Sequence, residues 1–166
     1  MTEYRAPYDS TVRTTTIAVS AILAGVILLM LVLMVTIDLA IMRVFFAALA
    51  GGIFMIPALS YRFAPTGYVV EPHRLIVQRP AGPLMFPLER PLEAHRQDRL
   101  GFTLRTGGNG GLFGAYGNFR NKELGSFKVY ARRGHDYVII RTPSLTLVVG
   151  PENPDQFLSE ITAQPS

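Results

Sequence analysis

Six of the chain's 15 glycines fall between Gly107 and Gly117, in the stretch TGGNGGLFGAYGNF (Thr106–Phe119), and three aromatic residues, Phe113, Tyr116 and Phe119, stand among them. Glycine-rich loops can cradle phosphates with their backbone N–H groups. The spacing here argues against that chemistry. A P-loop needs G-x-x-x-x-G-K-[ST], and no glycine of this chain precedes a lysine. The dinucleotide pattern G-x-G-x-x-G also fails, because after Gly108 and Gly110 the third glycine would have to stand where Phe113 does. No Lys or Arg lies between Arg105 and Arg120 to match a phosphate's charge. Two compatible readings remain. The glycines supply positive φ, bulges and tight passage between strands. Alternatively, the stretch is a partner-docking loop whose Phe113, Tyr116 and Phe119 offer apolar contact at low side-chain entropy cost.

The other reactive side chains are sparse. His73, His95 and His135 are widely separated, no H-x-x-x-H pair exists, and His135-Asp136 reads as turn chemistry, so no metal site is expected. There is no G-x-S-x-G elbow to expose a nucleophilic serine. Cysteine is absent, which excludes disulfides, thiol catalysis and cysteine-ligated metals. No histidine precedes His73, and Met30, Met34, Met42 and Met55 read as packed or lipid-facing, so no haem or other cofactor is expected. These observations predict a protein that does no chemistry.

The elements that carry these residues divide the chain. Hydrophobic residues make up 49% and charged residues 17%, below the roughly 25% of soluble domains. Ile17 to Ile37 is free of charge and long enough to span a bilayer core of about 30 Å. The apolar run is far longer than the h-region of a cleaved signal peptide. A second uncharged run, Val44 to Ser60, follows after a short turn containing Asp38 and Arg43. Arg43 can snorkel from a helix end. Pro57 is expected to kink or end the second helix, and Ala47, Ala50 and Gly51 to let it lie close to the first. The reading is a polar tail over residues 1–16, a two-helix transmembrane hairpin over 17–61, and a linker over 62–67. Arg5 and Arg13 on one side and Arg62, Arg74 and Arg79 on the other outnumber the lone Arg43 of the turn. That bias places both termini in the cytoplasm, on a bacterial inner membrane.

After Tyr61 short apolar runs alternate with turn signals, which predicts an all-β domain over residues 68–163. YVVE and RLIVQR flank Pro72-His73 as a hairpin. LMFPL and LGFTLR follow as strands. In FKVYAR, Phe127, Val129 and Ala131 share one face and Lys128, Tyr130 and Arg132 the other. FKVYAR, YVIIRT and LTLVVG are expected to form a meander. Asn153, Pro154 and Gln156 predict a capping box at the start of a helix near 154–162, with Phe157, Leu158 and Ile161 inward.

Seven or so short strands closed by one amphipathic helix resemble the pleckstrin-homology (PH)-like fold, and particular residues carry the likeness further. The glycine-rich stretch leading into Tyr116-Gly117-Asn118-Phe119, then Gly125 with Val129-Tyr130-Ala131, then Pro151 and Pro154-Asp155-Gln156-Phe157, resemble the bacterial PH-domain families found behind membrane helices. The likeness covers roughly Tyr68 to Ile161. It implies a PH-like barrel or sandwich capped by a C-terminal helix, and a binding role without catalysis.

The partner is less constrained. A linker of about six residues spans at most ~20 Å, so the β domain is held against the membrane. Its exposed faces are then placed to contact a neighbouring membrane protein while the helices contact that neighbour in the bilayer. The first expectation is therefore a scaffold or accessory subunit of a larger membrane complex, of transport, respiratory or photosynthetic type. The alternative is a sensor of anionic lipid or membrane stress, with Arg62, Arg74 and Arg79 as headgroup contacts. Self-association through sheet edges is a third route. Nucleic acid is not expected, because no basic helix or interleaved stacking pattern is present.

Overall fold

The computed structural model describes residues 2–163. Met1 of the expected tail lies outside the described residues. The rest of that tail is ordered by two elements. Strand β1 (Thr2–Arg5) joins a sheet, and helix α1 begins at Ser10 and runs to Thr36. Asp9 explains the early start, since its carboxylate accepts the Thr11 N–H as an N-cap. Helix α2 spans Ala40–Phe63 and contains Pro57 without ending there. Arg43 closes the turn between the helices. Its Nε donates to the Ile37 carbonyl at 2.8 Å and its Nη2 to Asp38 at 3.1 Å. Both helices are long and apolar enough to cross a membrane. Ala50 is buried where α2 lies along α1, whereas Ala47 and Gly51 are exposed. Large apolar side chains point outward from both helices, Leu28 at 63% exposure and Phe54 at 61% among them. In water such surfaces would associate, and in a bilayer they are the surface that lipid solvates.

Three residues after α2, the chain enters β2 (Gly67–Glu71), then β3 (Arg74–Gln78) and β4 (Leu84–Pro87). With β1 these make an antiparallel sheet in the order β1-β2-β3-β4. The expected hairpin at Pro72-His73 is present, and His73 takes the positive φ of 66° that the tight turn requires.

The second sheet holds β5 (Glu93–Gln97), β6 (Leu104–Gly111), β7 (Gly114–Asn121), β8 (Gly125–Ala131), β9 (Tyr137–Arg141) and β10 (Thr146–Val149). Its order is β5-β9-β10-β8-β7-β6. The expected meander is not formed. β10 inserts between β8 and β9, parallel to the first and antiparallel to the second. β9 is then left to pair with β5, a strand of sequence EAHRQ with no alternating apolar signal. LGFTLR is also only partly a strand. Gly101 turns the chain at φ 62°, Phe102 is thrown outward, and the strand begins at Leu104.

Helix α3 (Pro154–Thr162) lies across β5 and β9. Pro154 opens it as expected, but Asn153 makes no side-chain cap bond, so the capping box is absent. Packing holds the helix instead, since Phe157 and Ile161 are fully buried. The two sheets form a sandwich. The larger cluster between them joins Tyr68, Leu75, Val77 and Phe86 to Tyr130, Ile140, Leu147 and Phe157. A second cluster, Phe119, Phe127, Val129, Ala131, Ile139 and Val148, occupies the other face of the second sheet. The two faces expected of FKVYAR thus belong to different clusters, with Phe127, Val129 and Ala131 in one and Tyr130 in the other. Tyr68 ties the layers together. Its hydroxyl donates to the Tyr130 carbonyl at 2.7 Å and accepts the Gly150 N–H at 3.2 Å.

The glycines of the 107–117 stretch build the β6–β7 hairpin. A Cβ on Gly108 would overlap the Tyr116 carbonyl oxygen, and one on Gly117 the Gly107 carbonyl oxygen, and both residues have positive φ. Gly111 has open space beside it and no such φ. Gly108→Ala should therefore cost at least about 2 kcal/mol, whereas Gly111→Ala should be close to neutral. Thermal unfolding of the two variants in the same detergent checks the contrast.

Candidate functional site

The helix ends meet the β domain at a junction tied by hydrogen bonds and ring contacts. Three pieces of chain converge there. The first is the segment from β1 into α1. β1 pairs with β2 so that Arg5 lies opposite Gly67, and Ala6 N–H donates to the Thr66 carbonyl at 3.2 Å. The second is the end of α2, whose Arg62 carbonyl accepts the Ala81 N–H at 2.8 Å. The third is the tip of the β6–β7 hairpin. There the Phe113 N–H donates to the Thr16 hydroxyl at 3.0 Å, and the Phe113 ring meets Tyr61 edge-on with centroids 5.4 Å apart. Phe113 has a φ of 59°, which makes the sharp turn that brings its ring onto the helices.

The three aromatics singled out in the sequence therefore have three placements. Phe113 is half-buried and binds the chain's own helix ends. Tyr116 packs against the inter-sheet core, and Phe119 is buried in the second cluster, stacked with Phe127 at 6.3 Å. The structure brings them into one hairpin but not onto one exposed face.

The expected headgroup contacts also separate. Arg62 is exposed in the last turn of α2. Arg79 stacks over the Phe63 ring at 5.6 Å and donates from Nε to the Gly82 carbonyl at 3.0 Å, so these two cations share the foot of α2. Arg74 lies further along β3, paired with the buried Glu71. Beside it the outer face of the first sheet carries a shallow groove of ≈ 490 Å³ lined by Glu3, Val69, Glu71, Ile76, Gln78, Arg79 and Pro83.

A charged network flanks the junction. Asp136 accepts from Arg96 at 2.5 Å, Arg133 at 2.8 Å and His135 Nδ1 at 3.0 Å. Arg96 also reaches Asp155 at the start of α3 at 2.9 Å. The Arg96 hydrogen bond, then that of His135, holds the Asp136 carboxyl down at about 2, against a weaker upward push from burial. Asp98, His135 and Asp136 also bring potential ligand atoms within 4.8 Å of one another. Two guanidinium groups already occupy Asp136, which leaves that cluster a salt-bridge network.

Asp9 is held below the usual carboxylate range. Burial pushes it up, but hydrogen bonds from Thr11, Ser10 and Gly134 outweigh that push. Arg132, next along, lies under the ring of Tyr8 at 4.5 Å.

Sequence reasoning missed two features. Phe102 and Leu104, at the far end of the hairpin from Phe113, are neighbouring large apolar side chains that stand outward, at 86% and 58%. The signal available was Gly101 directly before Phe102, which breaks the strand. The joining of Tyr8 to Arg132 had no sequence signal, because 124 positions separate them.

The profile of the family described as Bacterial PH domain matches residues 66–164. No curated protein and no solved structure matches the chain.

Two outcomes are expected from this geometry. A double-mutant cycle on Phe113→Ala and Tyr61→Ala should return a coupling of about 0.5–1.5 kcal/mol, measured by thermal unfolding in detergent. Asp136→Asn keeps a residue that tolerates the φ of 53° found there and should cost about 1–2 kcal/mol at neutral pH. Because the folded-state pKa is depressed, that stabilisation is present above the ordinary carboxyl range near 3.8 and is lost as pH falls through about 2. The difference between wild type and Asp136→Asn should close over that interval.

Proposed function

The chain belongs to the bacterial PH-domain family, and from that premise we propose that it is a non-enzymatic, membrane-anchored accessory subunit that binds and steadies a larger membrane protein complex. PH domains are in general binding modules for proteins or lipids. In this reading the helical hairpin crosses the bacterial inner membrane with both termini and the β domain in the cytoplasm.

One observation carries the proposal. The β domain is fixed to the helix pair at its Phe113 end, while its opposite end presents Phe102 and Leu104 to solvent. The hairpin strand β6 is eight residues long and so reaches about 25 Å from one end to the other. It is also an edge of its sheet, with backbone groups open to a partner strand. The glycine-rich hairpin then works as a rigid strut. Its tip, with Phe113 locked onto the helix ends, sets the height of the domain, and its outer edge and apolar end meet cytoplasmic segments of neighbouring subunits. The outward Leu28 and Phe54 side chains are available to the same neighbours inside the bilayer.

A second reading rests on Arg62 and Arg79 at the foot of α2. Their placement beside Phe63 supports contact with anionic headgroups, each worth about 1 kcal/mol. Arg74 contributes less to it, being paired with Glu71.

The test extracts tagged protein from its own host's membranes in mild detergent. Wild type should co-migrate with a membrane protein in fixed stoichiometry, and Phe102→Ser with Leu104→Ser should lose it while unfolding at the same temperature. Recovery of the chain alone, or only as copies of itself, would sink the accessory-subunit reading. Recovery with lipid that Arg62→Gln and Arg79→Gln abolish would favour the second.

A further inference from the structure

Arg132 follows β8 and is 8% exposed, yet its Nε and Nη2 are shut off from solvent and reach no acceptor. Its neighbour Arg133 shows what a satisfied arginine looks like here, with Asp136 at 2.8 Å and the Pro151 carbonyl at 2.7 Å. Among the described residues no carboxylate pairs with Arg132. Asp9, the nearest along the junction, spends its oxygens on Ser10, Thr11 and Gly134. Asp136 is taken by Arg96, Arg133 and His135. The Tyr8 ring face offsets part of the charge, but a ring quadrupole does not accept the in-plane N–H groups. A buried cation lacking an anion is unfavourable, and an anionic ligand removes the deficit.

The surroundings say which anion. Arg132 lies against Gly114, beside Phe113, whose amide is bonded to Thr16 at the edge of the apolar run of α1. The polar turns Ser10–Thr16 span about 10 Å, so the guanidinium is held at the depth of the headgroup layer. The Tyr8 ring covers it, and close by Tyr61 meets Phe113 edge-on, as aromatic residues gather at that depth. Tyr8 stands in the short segment between β1 and α1, covers the guanidinium with its ring and is 41% exposed. Because Nε and Nη2 are shut off from solvent, an anion reaches them only when the Tyr8 side chain rotates away.

We propose that Arg132, under the Tyr8 ring, is a binding site for the phosphate of an anionic membrane phospholipid. The site is separate from the Arg62 and Arg79 pair at the foot of α2 and does not depend on the accessory-subunit reading.

The experiment uses the full chain in detergent with phosphatidylglycerol or phosphatidylcholine added, and reads bound lipid by native mass spectrometry and unfolding temperature by circular dichroism. Wild type should retain phosphatidylglycerol over phosphatidylcholine and unfold at a higher temperature with it. Arg132→Met conserves volume and removes the unpaired charge, so it should fold as well as wild type without lipid and retain about tenfold less phosphatidylglycerol. Arg62→Gln with Arg79→Gln should keep most of the preference. Arg132→Lys, which keeps the charge but loses the planar fork, should fall between. Equal retention by Arg132→Met and wild type overturns the proposal. So does a wild type with no headgroup preference, whatever the variants do. Equal stabilisation by inorganic phosphate alone would overturn the lipid assignment.

Discussion

The pairing of β1 with β2 is the constraint on which the rest of the structure depends. It brings Arg5 opposite Gly67, so the two ends of the helical hairpin leave the β domain side by side. The helices are in effect an insertion between two neighbouring strands. A domain hung from one short linker can swivel, because each residue of the linker has two soft dihedrals. A domain hung from two paired strands cannot, because rotation would break the ladder between them. The tip of the β6–β7 hairpin then adds a third attachment through Phe113, Thr16 and Tyr61.

Several other features follow from that constraint. β1 is too short and polar to hold its place alone, and it is clamped by groups from far along the chain. Tyr4 packs edge-on against Phe157 at 5.0 Å and donates its hydroxyl to Glu160 at 2.5 Å, and the Arg5 carbonyl accepts the Glu152 N–H at 3.1 Å. Burial first, and then the Glu160 contact, pushes the Tyr4 hydroxyl up to about 12, so it remains a donor at any physiological pH. Helix α3 thereby secures the strand that secures the helices. The capping box it lacks is offset by the burial of Phe157 and Ile161, which tie it to both β1 and the sandwich. Glycine has a related role at the hairpin. Gly108 and Gly117 cross so closely that no side chain fits between the two strands.

Local features were legible in the sequence. The uncharged runs, the hairpin at Pro72-His73, the two faces of FKVYAR, Pro154 at the head of the last helix and the family resemblance all depend on residues within a few positions of one another. β1 and β5 were not legible. TEYR and EAHRQ carry no apolar alternation, and each becomes a strand because a partner offers it a row of hydrogen-bonding groups. The insertion of β10 between β8 and β9 was hidden for the same reason. Its residues are buried on both faces, which marks a central strand without saying which neighbours it takes.

The candidate site divides along the same line. By itself the sequence determined that the chain has two apolar helices, a small β domain close behind them, a glycine-rich aromatic stretch without phosphate-binding spacing, and no cysteine for thiol or disulfide chemistry. Composition and short-range spacing are sufficient for each of these. Only the tertiary structure decided that Phe113 binds the chain's own helices, that Phe102 and Leu104 stand outward, and that Arg132 is buried under Tyr8 without an anion. The reason is physical. Burial and charge pairing are properties of neighbours in space, and the neighbours of Arg132 come from the Tyr8–Asp9 segment between β1 and α1 and from Gly114 of the β6–β7 hairpin, which only the closed fold brings together.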